Sequence, residues 1–194
     1  MQNPTETEVK IPFESRSSIE SRLDEKGFRV SVARTFESNE LYDTEDRSLY
    51  RKGMLLRLRH SGDHSILTWK GPGTPGTHKS RPELETTLGS LTVFGDILNQ
   101  LGYMRTFRYE KYRTEYRKDP ETGVVTIDET PIGNFLEIEG DGKWIDDTAG
   151  SLGFLPKDYV LESYGQLYLN HCQAHGLEPG DMVFASHATG QSRA

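Results

Sequence analysis

Glu6-Thr7-Glu8-Val9-Lys10 places three charged side chains at spacing two in a stretch that reads as a strand. Side chains along a strand alternate between its two faces, so Glu6, Glu8 and Lys10 share one side while Thr7 and Val9 share the other. The same design recurs down the chain: Arg57/Arg59 alternate with Leu56 and Leu58, Arg81, Glu83 and Glu85 share a face, Lys111/Arg113 form a basic pair, and Glu137/Glu139 repeat the acidic one. Like charges two apart on a strand lie about 7 Å from each other and repel, so each pair requires a counter-charge or a ligand. An antiparallel sheet with one wet face accounts for alternation in any single strand. The repeated pairing of like charges favours a closed barrel, in which acidic and basic pairs face one another across a lumen that holds one small ligand.

In chain order, strands are expected over Thr5–Phe13, Arg29–Asp43, Met54–Arg59, Ser65–Lys70, the stretch around Arg81–Glu85, Arg105–Lys118, Val124–Thr130 and Asn134–Gly140. Helices are expected over Ser15–Lys26, Ser90–Leu101, Asp146–Phe154 and Leu161–His175, the second with Val93, Phe94, Ile97, Leu98 and Leu101 as its apolar stripe. Pro82 marks an edge, a bulge or a strand start. Gly71–Gly76 reads as a mobile loop, and Pro120-Glu121-Thr122-Gly123 as a hairpin turn. Met54 and Trp69 are assigned to the core. The fold class is therefore α+β, an eight-stranded antiparallel barrel with helices packed outside. It forms one domain over residues 1–175, followed by a loose tail over 176–194.

Composition narrows the function. A net charge of -7 argues against a broad nucleic-acid or membrane surface. Cys172 is the only cysteine, which excludes an intrachain disulfide and fits a reducing compartment. No apolar run approaches the roughly 18 residues of a membrane span, and the N-terminus lacks the apolar core of a signal peptide; the expectation is a soluble, cytoplasmic protein.

The ordered motifs Glu6-Thr7-Glu8-Val9-Lys10, Leu41-Tyr42-Asp43, Leu56-Arg57-Leu58-Arg59, Trp69-Lys70-Gly71-Pro72, Arg81-Pro82-Glu83-Leu84-Glu85, Glu110-Lys111-Tyr112-Arg113, Ile127-Asp128-Glu129, Phe135–Gly140 and Glu162-Ser163-Tyr164 resemble the CYTH superfamily, the triphosphate tunnel metalloenzymes. The resemblance covers about Thr5 to Leu169 and implies an eight-stranded tunnel. It further implies Mg2+ or Mn2+ bound by Glu6, Glu8, Glu137 and Glu139 with Asp128 assisting, and phosphates gripped by Lys10, Arg57, Arg59, Lys70, Lys111 and Arg113. Arg81, Glu83 and Glu85 are expected to orient the basic residues, while Glu6, Glu8 and Lys10 stand closest to the chemistry. The implied activity is metal-dependent hydrolysis of inorganic or small organic triphosphate. Alternatives are a class IV adenylyl cyclase, towards which Lys70-Gly71-Pro72-Gly73 and Gly133–Glu137 lean, and a non-catalytic polyphosphate or nucleotide sensor. The expected partner is a small triphosphate, not nucleic acid or membrane. The resemblance leaves room for a homodimer.

Overall fold

The computed structural model describes residues 5–120 and 122–185. The strands are β1 (Thr5–Phe13), β2 (Arg29–Thr44), β3 (Leu55–Ser61), β4 (His64–Lys70), β5 (Lys79–Leu88), β6 (Tyr103–Arg117), β7 (Val124–Thr130) and β8 (Gly133–Glu139). They hydrogen-bond antiparallel in the order β1-β5-β4-β3-β2-β6-β7-β8, and β8 pairs back onto β1 to close the barrel. Closure depends on β1 pairing twice: Thr5–Glu8 lie against β5, and Glu8–Phe13 lie against β8. Pro82 is neither at an edge nor at a strand start. It lies where β5 passes from pairing with β1 over 79–82 to pairing with β4 over 83–88.

The outward face of the barrel carries the apolar residues. Val9 and Ile11 of β1, Val125 and Ile127 of β7, and Leu136 and Ile138 of β8 are buried against α1 (Arg16–Glu25) and α4 (Gly142–Ser151), which contribute Ile19, Leu23, Ile145 and Ala149. A second cluster joins Leu58 and Tyr42 to Leu98 of α3 (Leu91–Gln100). The main core thus lies outside the barrel, between strands and helices. Alternation then sends the charged residues of the same strands into the lumen.

Local chemistry sets the helix ends. Ser15, Ser90 and Ser163 each accept a backbone N–H in the first turn of α1, α3 and α5 (Tyr164–His175). The caps at Asp141 and Ser163 explain why α4 starts at Gly142, before the expected Asp146, and α5 at Tyr164, after the expected Leu161. A short helix, α2 (Ser48–Arg51), was not anticipated: its free N–H groups at Leu49 and Tyr50 are satisfied from a distance by the Asp43 carboxylate, each at 2.9 Å. The expected stripe of α3 divides. Leu98 is buried and Phe94 packs against it, whereas Val93, Ile97 and Leu101 are exposed. Gly95 sets how close α3 lies to the barrel, because a Cβ there would stand 2.9 Å from the Tyr42 hydroxyl. Met54 and Trp69 are half-buried, not core.

The expectation of a loose C-terminal stretch fails for residues 181–184. Met182 is 1% exposed, and its N–H and C=O bond to the Arg108 C=O and Glu110 N–H of β6. The carboxylate of Asp181 accepts the Arg108 N–H at 2.8 Å and Arg105 at 3.0 Å. One apolar anchor and one capping carboxylate are enough to dock this Gly/Pro-rich segment. The remainder of that stretch, 186–194, and Glu121 of the expected hairpin turn lie outside the described residues.

Gly123 precedes β7 and packs on Trp144 of α4, where an added Cβ would fall 2.3 Å from the indole ring. Gly123→Ala is expected to displace Trp144 and destabilise the protein by about 1–3 kcal/mol, read as a lower urea midpoint with an unchanged slope.

Candidate functional site

Inside the barrel, β1, β3, β4, β5, β6 and β8 bring Glu6, Glu8, Lys10, Arg57, Arg59, Lys70, Lys79, Arg81, Lys111, Arg113 and Glu137 to one cavity. All six expected phosphate-binding residues line it, together with Lys79 and Arg81. Lys10, Arg57, Lys70 and Lys111 are between 2% and 6% exposed, a degree of burial that charged side chains reach only when paired.

The pairing is specific. Lys10 Nζ lies 3.0 Å from Glu8 and 3.1 Å from Glu137; Lys79 reaches Glu8 at 3.0 Å; Lys70 contacts Glu6 and lies 3.2 Å from Glu83. Arg81 stands 3.7 Å from Glu6, and Arg57 stands 3.8 Å from Glu85, which also accepts the Thr68 hydroxyl at 3.0 Å. Space between the side chains amounts to about 60 Å3, room for a few water molecules.

The electrostatics divide the acids. Burial, the largest single influence, raises the Glu8 and Glu137 carboxyls, but the combined charges of Lys10, Lys79 and Lys70 around Glu8, and of Lys10, Arg113 and Lys111 around Glu137, overcome it and hold both well below the usual range. Glu139, at the exposed end of β8, is lowered only by the charge of Lys70, which does not suffice. Its surroundings, then the charges of Glu6 and Glu8, push its carboxyl up to about 7. Glu139 therefore lies beside two carboxylates, Glu6 and Glu8, that are themselves paired with lysines, and together the three offer oxygen donors of the kind a hard divalent cation takes. Among the described residues no three such side chains are already gathered into a metal-binding arrangement, because Glu6 and Glu8 point to lysines.

At the other end Asp128 is fully buried. One oxygen accepts Arg113 Nε at 2.7 Å; the other accepts Lys111 Nζ at 2.7 Å, Arg113 Nη2 at 2.6 Å and the Tyr164 hydroxyl at 2.7 Å. It thus contacts Lys111, Arg113 and Tyr164, the groups it holds in place.

Four further residues belong to the site and were not picked out from the sequence. Tyr164 enters the lumen from the first turn of α5, its ring 5.4 Å from Lys10 Nζ and 5.2 Å from Lys111 Nζ. Tyr109 faces Arg57, and its phenol is held below its usual value: burial opposes this, but the charges of Arg57 and Lys111 prevail. Glu37 is buried beside Lys111 and Arg59, which hold it at about 2 against the effect of burial. Asn39 accepts Arg59 Nε at 3.2 Å and presents its amide N–H2 without a partner. Glu37 and Asn39 continue the spacing-two pattern into Leu41, so alternation along β2 was the available signal. Tyr164 belonged to the Glu162-Ser163-Tyr164 motif of the resemblance, but its position on a helix gave no indication of a role in the lumen.

Buried donors remain without acceptors. Arg57 Nε, Arg81 Nε and Asn39 Nδ2 make no hydrogen bond among the described residues. Leaving a buried donor unpaired costs about 1–3 kcal/mol, a cost that an acceptor in or beside the lumen would remove.

The charged tunnel defines the class, and comparison supplies the family. The CYTH domain model matches residues 4–150, and the chain belongs to that family. A candidate adenylate cyclase of Methanocaldococcus jannaschii is 25% identical over 135 residues, spanning 69% of this chain and 75% of that protein. The structure of a candidate adenylate cyclase from Vibrio parahaemolyticus superposes with a TM-score of 0.75 at 20% identity, over 86% of this chain and 98% of that one. A Hippeastrum protein, described as a candidate adenylyl cyclase with dominant triphosphatase activity, superposes with a TM-score of 0.61 at 14% identity, over 90% and 97%. At these identities the structural likenesses establish the shared fold.

Because the Glu139 carboxyl is raised in the folded state, its contribution to stability is present below about pH 4.5 and is lost as pH rises through about 7. Glu139→Gln should match the wild type near pH 4.5. At pH 8 it should exceed it by about 1 kcal/mol, a figure reduced for solvent screening at the exposed mouth. Metal-free thermal melts across this range test the difference.

Proposed function

We propose that the lumen binds a triphosphate together with a divalent cation and that the protein is a metal-dependent phosphohydrolase. The observation that carries this reading is the convergence of buried cations on one cavity, in whose lining Arg57 and Arg81 keep Nε donors without acceptors among the described residues. Hydroxyl-rich or neutral ligands would not balance that charge; a polyphosphate would.

Substrate and cation exchange partners with the internal ion pairs. Lys10, Arg57, Arg59, Lys70, Lys111 and Arg113 turn from carboxylates to phosphate oxygens, the arginines offering forked donors and the lysines compact charges. Glu6, Glu8 and Glu137, released from those bases, and Glu139 beside them are the residues that would hold Mg2+ or Mn2+, since they offer the oxygen donors such a cation takes. Such a cation supplies charge neutralisation on the phosphates and acidifies an attacking water. Glu6 or Glu8 orients that water, and Asp128 with Tyr164 keeps Lys111 and Arg113 aimed at the chain of phosphates. Glu83 and Glu85 perform the same service for Lys70 and Arg57. Catalysis in this scheme is positioning and charge stabilisation, as phosphoryl transfer requires.

A second reading, cyclisation of ATP to cyclic AMP with loss of pyrophosphate, is supported by the names of the M. jannaschii and V. parahaemolyticus proteins. The Hippeastrum protein is described by both activities, which supports keeping hydrolysis first.

Incubation with Mg2+ or Mn2+ and either inorganic triphosphate or ATP separates them. Orthophosphate is the expected product; cyclic AMP with pyrophosphate would establish the cyclase instead, and tight binding without turnover a sensor. Glu8→Gln and Glu139→Gln are expected to lower turnover by about 100-fold or more with unchanged circular dichroism. Arg57→Ala should lower kcat/KM by about 100-fold through weaker phosphate contacts. Full activity in both glutamine variants would refute the metal assignment.

A further inference from the structure

The chain between β4 and β5 leaves the barrel at Lys70 and re-enters it at Lys79. Both lysines pair with carboxylates of the lumen, Lys70 with Glu6 and Lys79 with Glu8 at 3.0 Å. Between them residues 72–77 are exposed and rich in Gly and Pro, so they have little packing of their own. Backbone bonds from the Gly71 N–H to Pro82 and from the Thr74 N–H to Ser80 tie the loop to β5, and so move with that strand.

His78 ties it instead to the helical layer. Its Nε2 lies 2.9 Å from Asp146 Oδ1 on α4, and the Tyr159 hydroxyl donates to the same oxygen at 2.9 Å. A carboxylate only accepts, so His78 is the donor. The His78 bond first, and then the Tyr159 bond, hold the Asp146 carboxyl below its usual value against the effect of burial, which keeps the shared acceptor an anion. The His78 ring also lies over the start of α4: a Cβ at Gly142 would stand 3.2 Å from it, and its centroid is 6.1 Å from that of Tyr159. Both partners are anchored. Asp146 follows Ile145 of the main core, and Tyr159 packs against that core and precedes Val160, whose N–H and C=O bond with Lys10 of β1.

Alternation carries this outside contact to the lumen. His78 and Lys79 are consecutive at the entry to β5, so their side chains leave opposite sides of the barrel wall. Lys79 also has the greatest need of an external hold: 16% of its side chain is exposed, against 3% for Lys10 and Lys111 and 6% for Lys70. Resting on the tunnel reading above, we propose that His78, Asp146 and Tyr159 form a clasp outside the barrel that positions Lys79 beside Glu8 as a phosphate contact. His78 and Asp146 are positioning residues in this scheme, since neither lines the cavity that Lys79 enters. Lys79 exchanges Glu8 for a phosphate oxygen while its backbone stays fixed from outside.

The test is calorimetric titration of the full chain, in Mg2+, with triphosphate whose bridging oxygens are replaced by methylene groups so that it is not turned over. Lys79→Met, His78→Ala and Asp146→Ala are each expected to weaken binding by about tenfold, with unchanged circular dichroism. His78→Gln, whose amide donates in place of Nε2, should stay within about threefold of the wild type. Because His78 acts through Lys79, adding His78→Ala to Lys79→Met should cost less than about twofold more, where independent structural effects would multiply. Undiminished binding in Lys79→Met or His78→Ala, multiplied losses in the double variant, or a glutamine variant no better than the alanine one would overturn the clasp and leave the tunnel reading in place. Failure of the wild type to bind the probe would remove both.

Discussion

The interaction on which the structure depends is the mutual neutralisation of opposite charges inside a walled lumen. Isolated, any one of Lys10, Lys70, Lys111 or Arg57 would be too costly to bury. Together with Glu6, Glu8, Glu83, Asp128 and Glu137 the three lysines form a network in which each ammonium meets a carboxylate within 3.2 Å, while Arg57 stands 3.8 Å from Glu85. Hydrophobic stabilisation is displaced to the outer surface of the barrel, where Val9, Ile11, Ile127, Leu136 and Ile138 meet α1 and α4. The barrel is in this sense inside out: the helices hold it closed, and the interior is left for chemistry.

That arrangement makes the site exchangeable. A network of ion pairs can be redistributed between a polyanion and a cation with little change in total charge, and the strands need not move. Asp128 and Tyr164 are the exception, because Asp128 already receives both a guanidinium and an ammonium as well as a phenol. In the proposed function they are the fixed part of the device, with Glu6, Glu8 and Glu139 as the part that changes partners. The raised carboxyl of Glu139 is the electrostatic trace of this division.

Much of the fold was legible because period-two patterning is unusually strict here. Leu58 faces out and is fully buried, while its neighbours Arg57 and Arg59 face in. The serine caps of α1, α3 and α5 were readable in the same local way. Reading failed where partners are distant. The stripe of α3 divided because the barrel takes only Leu98 and Phe94, and α2 escaped notice because Asp43, several residues away, satisfies its N–H groups. Docking of Met182 onto β6 could not be seen in a stretch rich in Gly and Pro.

The sequence by itself determined which side chains alternate, and therefore which charges must share a face; that is a local consequence of strand geometry. Only the tertiary structure decided which faces meet. Strand closure set Glu137 against Lys10, α5 carried Tyr164 into the lumen, and residues 179–181 walled a chamber beside it. Those contacts join residues far apart in the chain, and no local periodicity encodes the partner.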